Sequence, residues 1–291
     1  MSTLYLVDAT YELFRAYTAI PTIKAPDGRE VAAVYGLVNT LLKLLREGEV
    51  THAGCATDRT VTSFRNQLYP GYKDGEGLPP DLMAQFPLAE EAIEALGLVL
   101  WGMEEFEADD ALCAAAARFR PEFERVVICS ADKDLAQCVE GERVVLQDRR
   151  QQKVYDAAGV EAKFGVPPRA IPDYLALVGD AADGFPGIPG WGAKSSAAVL
   201  GAYGALEAIP LDPDAWTVKV RGAKRLATSL GERRDDALLF KRLATLRKDV
   251  PLPQRSRDDL AWHGVPGGPF RAFCERQGFR GLADRPHRWR A

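Results

Sequence analysis

Three short apolar runs in this chain stop at, or just before, an aspartate. Leu4 to Val7 runs into Asp8, His52 to Thr57 into Asp58, and Val126 to Ser130 is followed by Asp132 and Asp134. Short apolar runs bounded by polar turn-formers are the pattern of strands covered on both faces, as in parallel sheets joined by crossover helices. The helices are legible between the runs. A helical pattern follows Asp8 to about Ala19. Ala32 to Arg46 is amphipathic, with Val34, Leu37, Val38, Leu41, Leu42 and Leu45 on one side, and Ala108 to Phe119 is alanine-rich. Gly97 to Trp101 and Arg143 to Gln147 read as two more strands. This alternation predicts an α/β fold with a mostly parallel central sheet flanked by helices.

That expectation gives the aspartates a common address. In an open α/β sheet the ligand crevice lies outside the carboxyl ends of the strands. Asp8, Asp58, Asp132 and Asp134 belong there. Glu107, Asp109 and Asp110 open the alanine-rich helix, and Asp180 and Asp183 follow a helix that ends at Val178. Each acid alone has an ordinary use: Asp8 as a helix cap, the acids at 107–110 as partners of a helix dipole, the rest as turn residues. As a set, nine carboxylates along one edge repel one another unless a counter-charge is present. Mg²⁺ or Mn²⁺ supplies it, since hard cations prefer oxygen ligands. Two such ions ~4 Å apart stabilise the attacking and leaving oxygens of an in-line phosphoryl displacement. A cation also lowers the pKa of water, so no histidine base is required. The three histidines, His52, His263 and His287, are indeed scattered.

The character changes after about residue 160. Ile171 to Val178 reads as a helix, Gly184 to Gly192 as a Gly/Pro-rich turn, and Lys194 to Tyr203 as a helix again. The remainder is mainly helical and basic, with Lys219, Arg221, Lys224, Arg225, Arg233, Arg234, Lys241 and Arg242. Gly187, Gly190 and Gly192 let backbone approach a phosphate closely, the following helix presents free N–H groups, and Lys194 adds a cation. This is the pattern of a helix-hairpin-helix element that grips a duplex backbone without reading bases. The expected division is 1–160 for the α/β metal core, including a bridging arch at about 62–97. Residues 161–291 form the helical part, with the hairpin element at about 171–204.

Composition narrows the class. The net charge of −4 argues weakly against a nucleic-acid binder, but setting the nine acids aside leaves the rest at +5. The five cysteines, Cys55, Cys113, Cys129, Cys138 and Cys274, are odd in number and lack a CxxC pair, so buried free thiols in a reducing compartment are expected. No stretch approaches the ~20 apolar residues of a membrane span, and a cytoplasmic protein with no membrane association is expected.

The residues then match a family. Leu6-Val-Asp8, Val34-Tyr-Gly36, Phe64-Arg65, Tyr72-Lys73, Glu107-Ala-Asp-Asp110, Asp132-Lys-Asp134, Asp173-Tyr-Leu-Ala-Leu177, Gly179-Asp180 with Asp183, and Pro186-Gly-Ile-Pro-Gly190 occur in its order and spacing. On these stretches the chain resembles the 5′ nuclease domain of bacterial DNA polymerase I and the wider flap endonuclease and phage 5′-exonuclease group, from about Leu4 to about Asp249. The resemblance implies a PIN-like 5′ nuclease fold with a helix-three-turn-helix element. It implies Asp8, Asp58, Glu107, Asp109, Asp110 and Asp132 or Asp134 around a catalytic ion, and Asp134, Asp180 and Asp183 around a second. It implies Lys73 on the scissile phosphate, with Tyr72 and Arg65 also at the DNA, and a K⁺ ion on backbone carbonyls of the glycine turn. It implies cutting of DNA at 5′ flaps, nicks and free 5′ ends to leave 5′-phosphates, and cutting of RNA in RNA–DNA hybrids.

Three positions depart from the family pattern. Gly184 stands where the family has Asn, and Ala131 where it has Gly; neither removes a ligand. The family's Tyr-Lys-x-x-Arg is here Tyr72-Lys73-Asp74-Gly75-Glu76, which sets an acid where a phosphate-facing arginine is usual. The expectation is a standalone monomeric 5′→3′ exonuclease and flap endonuclease, with no polymerase domain after Ala291. The rivals are a non-catalytic, structure-specific DNA-binding protein on the same fold, and an RNA-cutting enzyme with a similar acidic core. The basic tail Arg285 to Arg290 is read as a DNA contact or a disordered end.

Overall fold

A computed structural model describes residues 2–47 and 49–290. In chain order the first half runs β1 (Thr3–Asp8), α1 (Ala9–Ala19), α2 (Ala32–Glu47), β2 (His52–Asp58), α3 (Phe64–Leu68), α4 (Pro80–Met83), α5 (Phe86–Ala95), β3 (Val99–Met103), α6 (Ala108–Phe119), β4 (Arg125–Cys129), β5 (Val144–Asp148) and β6 (Lys153–Tyr155). The second half runs α7 (Ala157–Phe164), α8 (Ile171–Val178), α9 (Ala193–Tyr203), α10 (Ala223–Glu232), α11 (Arg234–Ala244), β7 (Val265–Pro266), α12 (Gly267–Gln277) and β8 (Trp289–Arg290).

The main sheet has the order β3-β2-β1-β4-β5-β6, and every pair is parallel except β5 with β6. Strand order reverses between β1 and β4. A crevice therefore opens at their carboxyl ends, where the crossovers leave in opposite directions. The edge strand β6 escapes sequence reading because it is three residues long and lies half in solvent.

Strand alternation sorts the core into two layers. Leu4, Leu6, Ala56, Val126, Ile128, Val144 and Leu146 face α6 and the helical half. Val7, Ala53, Cys55, Val127, Cys129 and Val145 face α1, α2, α5 and α12. Burying a leucine or valine fully contributes ~1.5–3 kcal/mol. The apolar stripe of α2, including Val34, Leu37, Val38 and Leu41 at zero exposure, is thus enough to fix that helix on the sheet. Its N-terminus is closed by buried Gln85, whose Oε1 accepts from the N–H groups of Ala33 and Val34 at 3.0 and 3.2 Å.

Among the described residues, the helical second part shares its core with the sheet. Leu175, Leu177, Phe185, Val199, Leu230 and Phe240 join the same cluster as Leu4 and α6. Residues past 265 cross to the opposite face instead, where Phe270 and Phe273 of α12 join the layer of α2 and α5. The tail is neither free nor extended toward a ligand. Trp289 and Arg290 pair in parallel with Val265 and Pro266, Trp289 packs on Phe270, and His287 packs on Trp262.

The expected bridge at 62–97 narrows. Phe86, Ala89, Ala92 and Ile93 of α5 are buried in the sheet layer, whereas Asp74, Glu76 and Gly77 of the 69–79 loop are exposed. All five cysteines are free thiols, four of them buried. Among the described residues no helix is long and apolar enough to cross a membrane.

Candidate metal centre and nucleic-acid interface

The switch point places Asp8 and Asp132 side by side through one serine. Asp8 ends β1 and caps α1, its Oδ1 accepting from Tyr11 N–H at 2.8 Å. The Ser130 hydroxyl donates to Asp8 Oδ2 at 2.8 Å and accepts from Asp132 N–H at 3.0 Å. Asp134 N–H then donates to Asp132 Oδ1 at 2.9 Å. Ser130 was invisible as a site residue, because a lone serine after a strand carries no signal until its two partners are known.

Asp58 ends β2 and meets the start of α6, where Ala108 N–H donates to its Oδ1 at 2.8 Å. Burial raises the Asp8 carboxyl to about 7, with Asp58 and Asp132 adding to the rise. Burial raises Asp58 to about 6. Asp109, in the first turn of α6, is raised well above the usual carboxylate range by burial and then by Asp132, Asp8 and Asp134. Asp8, Asp58, Asp109 and Asp132 thus face one another across the crevice.

A second group adjoins the first. Asp134, Asp180 and Asp183 are all buried, and each presents a carboxylate oxygen within 4.8 Å of the others. Asp134 is raised well above its ordinary value by burial and by Asp132, Asp183 and Asp180. Its Oδ1 is buried with no hydrogen-bond partner among the described residues. Buried acceptors of this kind are rare and costly in folded proteins. A divalent cation is the ligand that fits three converging carboxylates, one of which carries an unsatisfied oxygen.

Lysines partly offset this charge. Lys133 pairs with Asp180, while Lys73 Nζ lies 2.9 Å from both Asp183 and Glu107. Lys73 is held by its backbone too, its N–H donating to Asp183 O at 3.1 Å. Gly184 makes that contact possible. With φ +85° it presents no side chain toward the 69–79 loop, and a Cβ there would lie 2.2 Å from Gly71 O.

Four sequence expectations need correction. Arg65 is not at a DNA surface. It is 1% exposed, and its guanidinium donates to Asp110, Glu107 and the carbonyls of Leu243 and Thr245. Asp110 is not poised for a metal, because both its oxygens accept from Arg65 and from the N–H groups of Glu107 and Arg247. Tyr72 is buried, and its hydroxyl donates to Glu107 Oε2 at 3.2 Å. Gly187 is buried against the chain before it, and a Cβ there would lie 2.3 Å from Gly179 N. It lets two loop segments cross rather than admit a phosphate.

Glu107 is an anchor within this cluster. Ser63 Oγ and Arg65 Nη1 reach its Oε1, and Tyr72 and Lys73 reach Oε2. Burial opposes its charge, but Lys73 and Arg65 outweigh burial and hold the carboxyl at about 2. Gly190, Gly192 and Lys194, by contrast, are exposed around an open cavity at the start of α9.

Residues 3–165 match the family description "5'-3' exonuclease, N-terminal resolvase-like domain", and residues 166–265 match "5'-3' exonuclease, C-terminal SAM fold". The chain belongs to the 5′-3′ exonuclease family. As a member of it, the chain is 33% identical over 286 residues to DNA polymerase I of Bacillus caldotenax, covering 97% of this chain and 32% of that protein. It is 37% identical over 252 residues to DNA polymerase I of Pseudomonas aeruginosa, covering 86% and 28%. The chain thus spans under a third of the length of these curated relatives. Its fold is also that of the bacteriophage T5 flap endonuclease in a pseudo-enzyme-product complex with DNA and metal ions. The TM-score is 0.67 at 18% identity, covering 83% of this chain and 88% of that one.

Proposed function

We propose that this 5′-3′ exonuclease family member is a divalent-metal-dependent 5′→3′ exonuclease and flap endonuclease. It would hydrolyse DNA phosphodiester bonds near 5′ ends, nicks and flaps and leave 5′-phosphates. The observation that carries this reading is the meeting of Asp134, Asp180 and Asp183 within 4.8 Å, with one oxygen of Asp134 itself buried and unpartnered among the described residues. Relatives named for DNA synthesis, and a similar fold bound to DNA and metal ions, support it.

Mg²⁺ or Mn²⁺, when bound, supplies charge for an in-line displacement at phosphorus. Asp8, Asp58, Asp109, Asp132 and Asp134 would hold one ion, and Asp134, Asp180 and Asp183 a second. Glu107 and Asp110 would act as supports. Glu107 fixes Lys73, and Asp110 fixes the start of α6. Lys73 is half-buried and aimed into the crevice, so it would leave Asp183 to place its ammonium against the scissile phosphate. α8, the 179–192 turn and α9 would serve as the helix-hairpin-helix grip on duplex backbone, through Gly190, Gly192 and Lys194. K⁺ on that turn and RNA–DNA hybrid substrates belong to the same proposal.

The test is the chemistry of the product ends. Partial digestion of a nicked duplex with Mg²⁺ should yield fragments that carry 5′-phosphates and are direct ligase substrates. DNA bound but uncut in every divalent metal would favour the non-catalytic binding module.

A further inference from the structure

Two of the five thiols touch. Cys113 lies on α6, one turn after Asp109, and Cys138 ends the short 3-10 helix Asp134–Cys138, four residues after Asp134. The Cys138 thiol hydrogen-bonds to Cys113, and both side chains line a small cleft of about 50 Å³ with Arg120, Glu140 and Lys248. Cys113 is 1% exposed, whereas Cys138 is partly exposed. Cys55 and Cys129 make a contrast. Both lie in register with Val7, but on β2 and β4, with β1 between them. Two strand spacings are ~9.5 Å, beyond the ~7 Å between Cα atoms that a disulfide can bridge. Cys274, on α12, belongs to the opposite layer from Cys113.

The cleft selects what can reach the pair. A water molecule takes ~30 Å³ of liquid, so the space admits hydrogen peroxide and shuts out a tripeptide disulfide. Burial, Cys113 and Asp109 keep the Cys138 thiol protonated, and Lys248 only partly opposes them. The pair therefore rests reduced and yields to a small, strong oxidant. The Cys138 sulfur attacks one peroxide oxygen, the O–O bond breaks, and the thiol proton leaves with the other oxygen as water. The Cys113 sulfur then displaces the remaining oxygen, which departs as water with the Cys113 proton. Two thiols lose two electrons in all, and one peroxide gains them.

We infer that Cys113 and Cys138 are a modification site, which hydrogen peroxide closes into a disulfide that ties α6 to the Asp134–Cys138 helix. An S–S bond of ~2.0 Å is shorter than any contact between two free thiols, so closing it draws these elements together. Each carries a crevice acid, Asp109 on α6 and Asp134 on the short helix. The disulfide thus shifts two acids relative to the rest of the crevice. Only this last consequence, for cutting, rests on the nuclease reading.

The test treats the whole chain with millimolar hydrogen peroxide in Mg²⁺, alkylates the remaining thiols in denaturant, and maps the peptides unreduced. The expected product joins the Cys113 and Cys138 peptides, has lost two of five alkylatable thiols, and regains them in dithiothreitol. Cys138→Ala, at the partly exposed position, should form no such product. Five alkylated thiols after peroxide, or sulfinic acid on Cys138 with Cys113 still free, would overturn the pair. Cutting of nicked DNA by the oxidised chain should slow by about tenfold or more, since ~1 Å of misplacement can cost on the order of 100-fold. Dithiothreitol should restore it. Unchanged cutting by the cross-linked chain would overturn the link to Asp109 and Asp134. A reduced chain that cuts nothing would sink the nuclease reading and leave the peptide map standing.

Discussion

The Arg65 guanidinium grips Asp110 through two 2.7 Å hydrogen bonds deep in the protein, with Arg65 1% and Asp110 0% exposed. Asp109, the residue before, turns the other way into the crevice, so two adjacent aspartates take different work. Asp110→Asn should lower stability, because removing one partner of a buried pair costs ~3–5 kcal/mol. Asp109→Asn should leave the fold intact and abolish metal-dependent cutting. Urea unfolding of both variants without metal, alongside a cleavage assay, checks this. Equal stability losses would contradict the division.

Asp134 is buried, unpartnered on one oxygen and pressed by Asp180 and Asp183. Removing its charge should therefore stabilise the metal-free protein, by on the order of 1 kcal/mol, as is common where function holds a strained site. Asp134→Asn should raise the melting temperature in EDTA and erase the further rise that Mn²⁺ gives wild type. A lower melting temperature in EDTA would count against the cluster as a cation site.

The pH dependence has a definite sign. The Asp8 and Asp58 carboxyls titrate at about 7 and about 6 in the folded chain, above the ~4 of an unfolded aspartate. Across that interval the folded state binds more protons, so stability falls as pH rises. Their contribution is full below about pH 4 and lost by about pH 7. Glu107, held at about 2, works oppositely: its contribution is full above its ordinary range and fades only as pH drops toward 2. As proposed ligands, Asp8 and Asp58 would give up their protons to Mg²⁺, so its stabilisation should be larger at pH 8 than at pH 5.5. Calorimetric melts at the two values, with and without Mg²⁺, give the comparison, and a larger gain at pH 5.5 would reverse it.

The sheet and its acidic edge were readable because both follow from local pattern. Apolar runs give the strands, and the aspartate after each run falls at the strand's carboxyl end. What stayed hidden depends on partners distant in sequence. Arg65 beside Phe64 looks like an exposed arginine until Asp110, 45 residues on, takes its guanidinium. Gly187 looks like a phosphate-approach glycine until the Gly179 backbone is found against it. The basic tail looks free until Trp289 settles on Phe270.

Glu76 and Asp74 sit on the exposed part of the 69–79 loop, where Glu76 N–H donates to Asp74 Oδ1 at 2.8 Å. An acidic loop beside Lys73 should weaken entry of a single-stranded flap more than cutting at a nick, within the ~8–10 Å over which salt leaves charges unscreened. Glu76→Arg should improve cleavage of a 5′-flap substrate several-fold and change nick cleavage little. Parallel KM measurements on the two substrates decide it, and no gain on the flap removes the loop's charge from the account.

The most direct measurement is cleavage of end-labelled nicked and 5′-flap DNA by wild type and Asp109→Ala, in Mg²⁺ and in EDTA. Wild type should cut from the 5′ side in Mg²⁺ and not in EDTA, and Asp109→Ala should cut in neither. Cutting that survives EDTA or the Asp109 substitution, or DNA retained uncut by wild type in Mg²⁺ and Mn²⁺ alike, would contradict it.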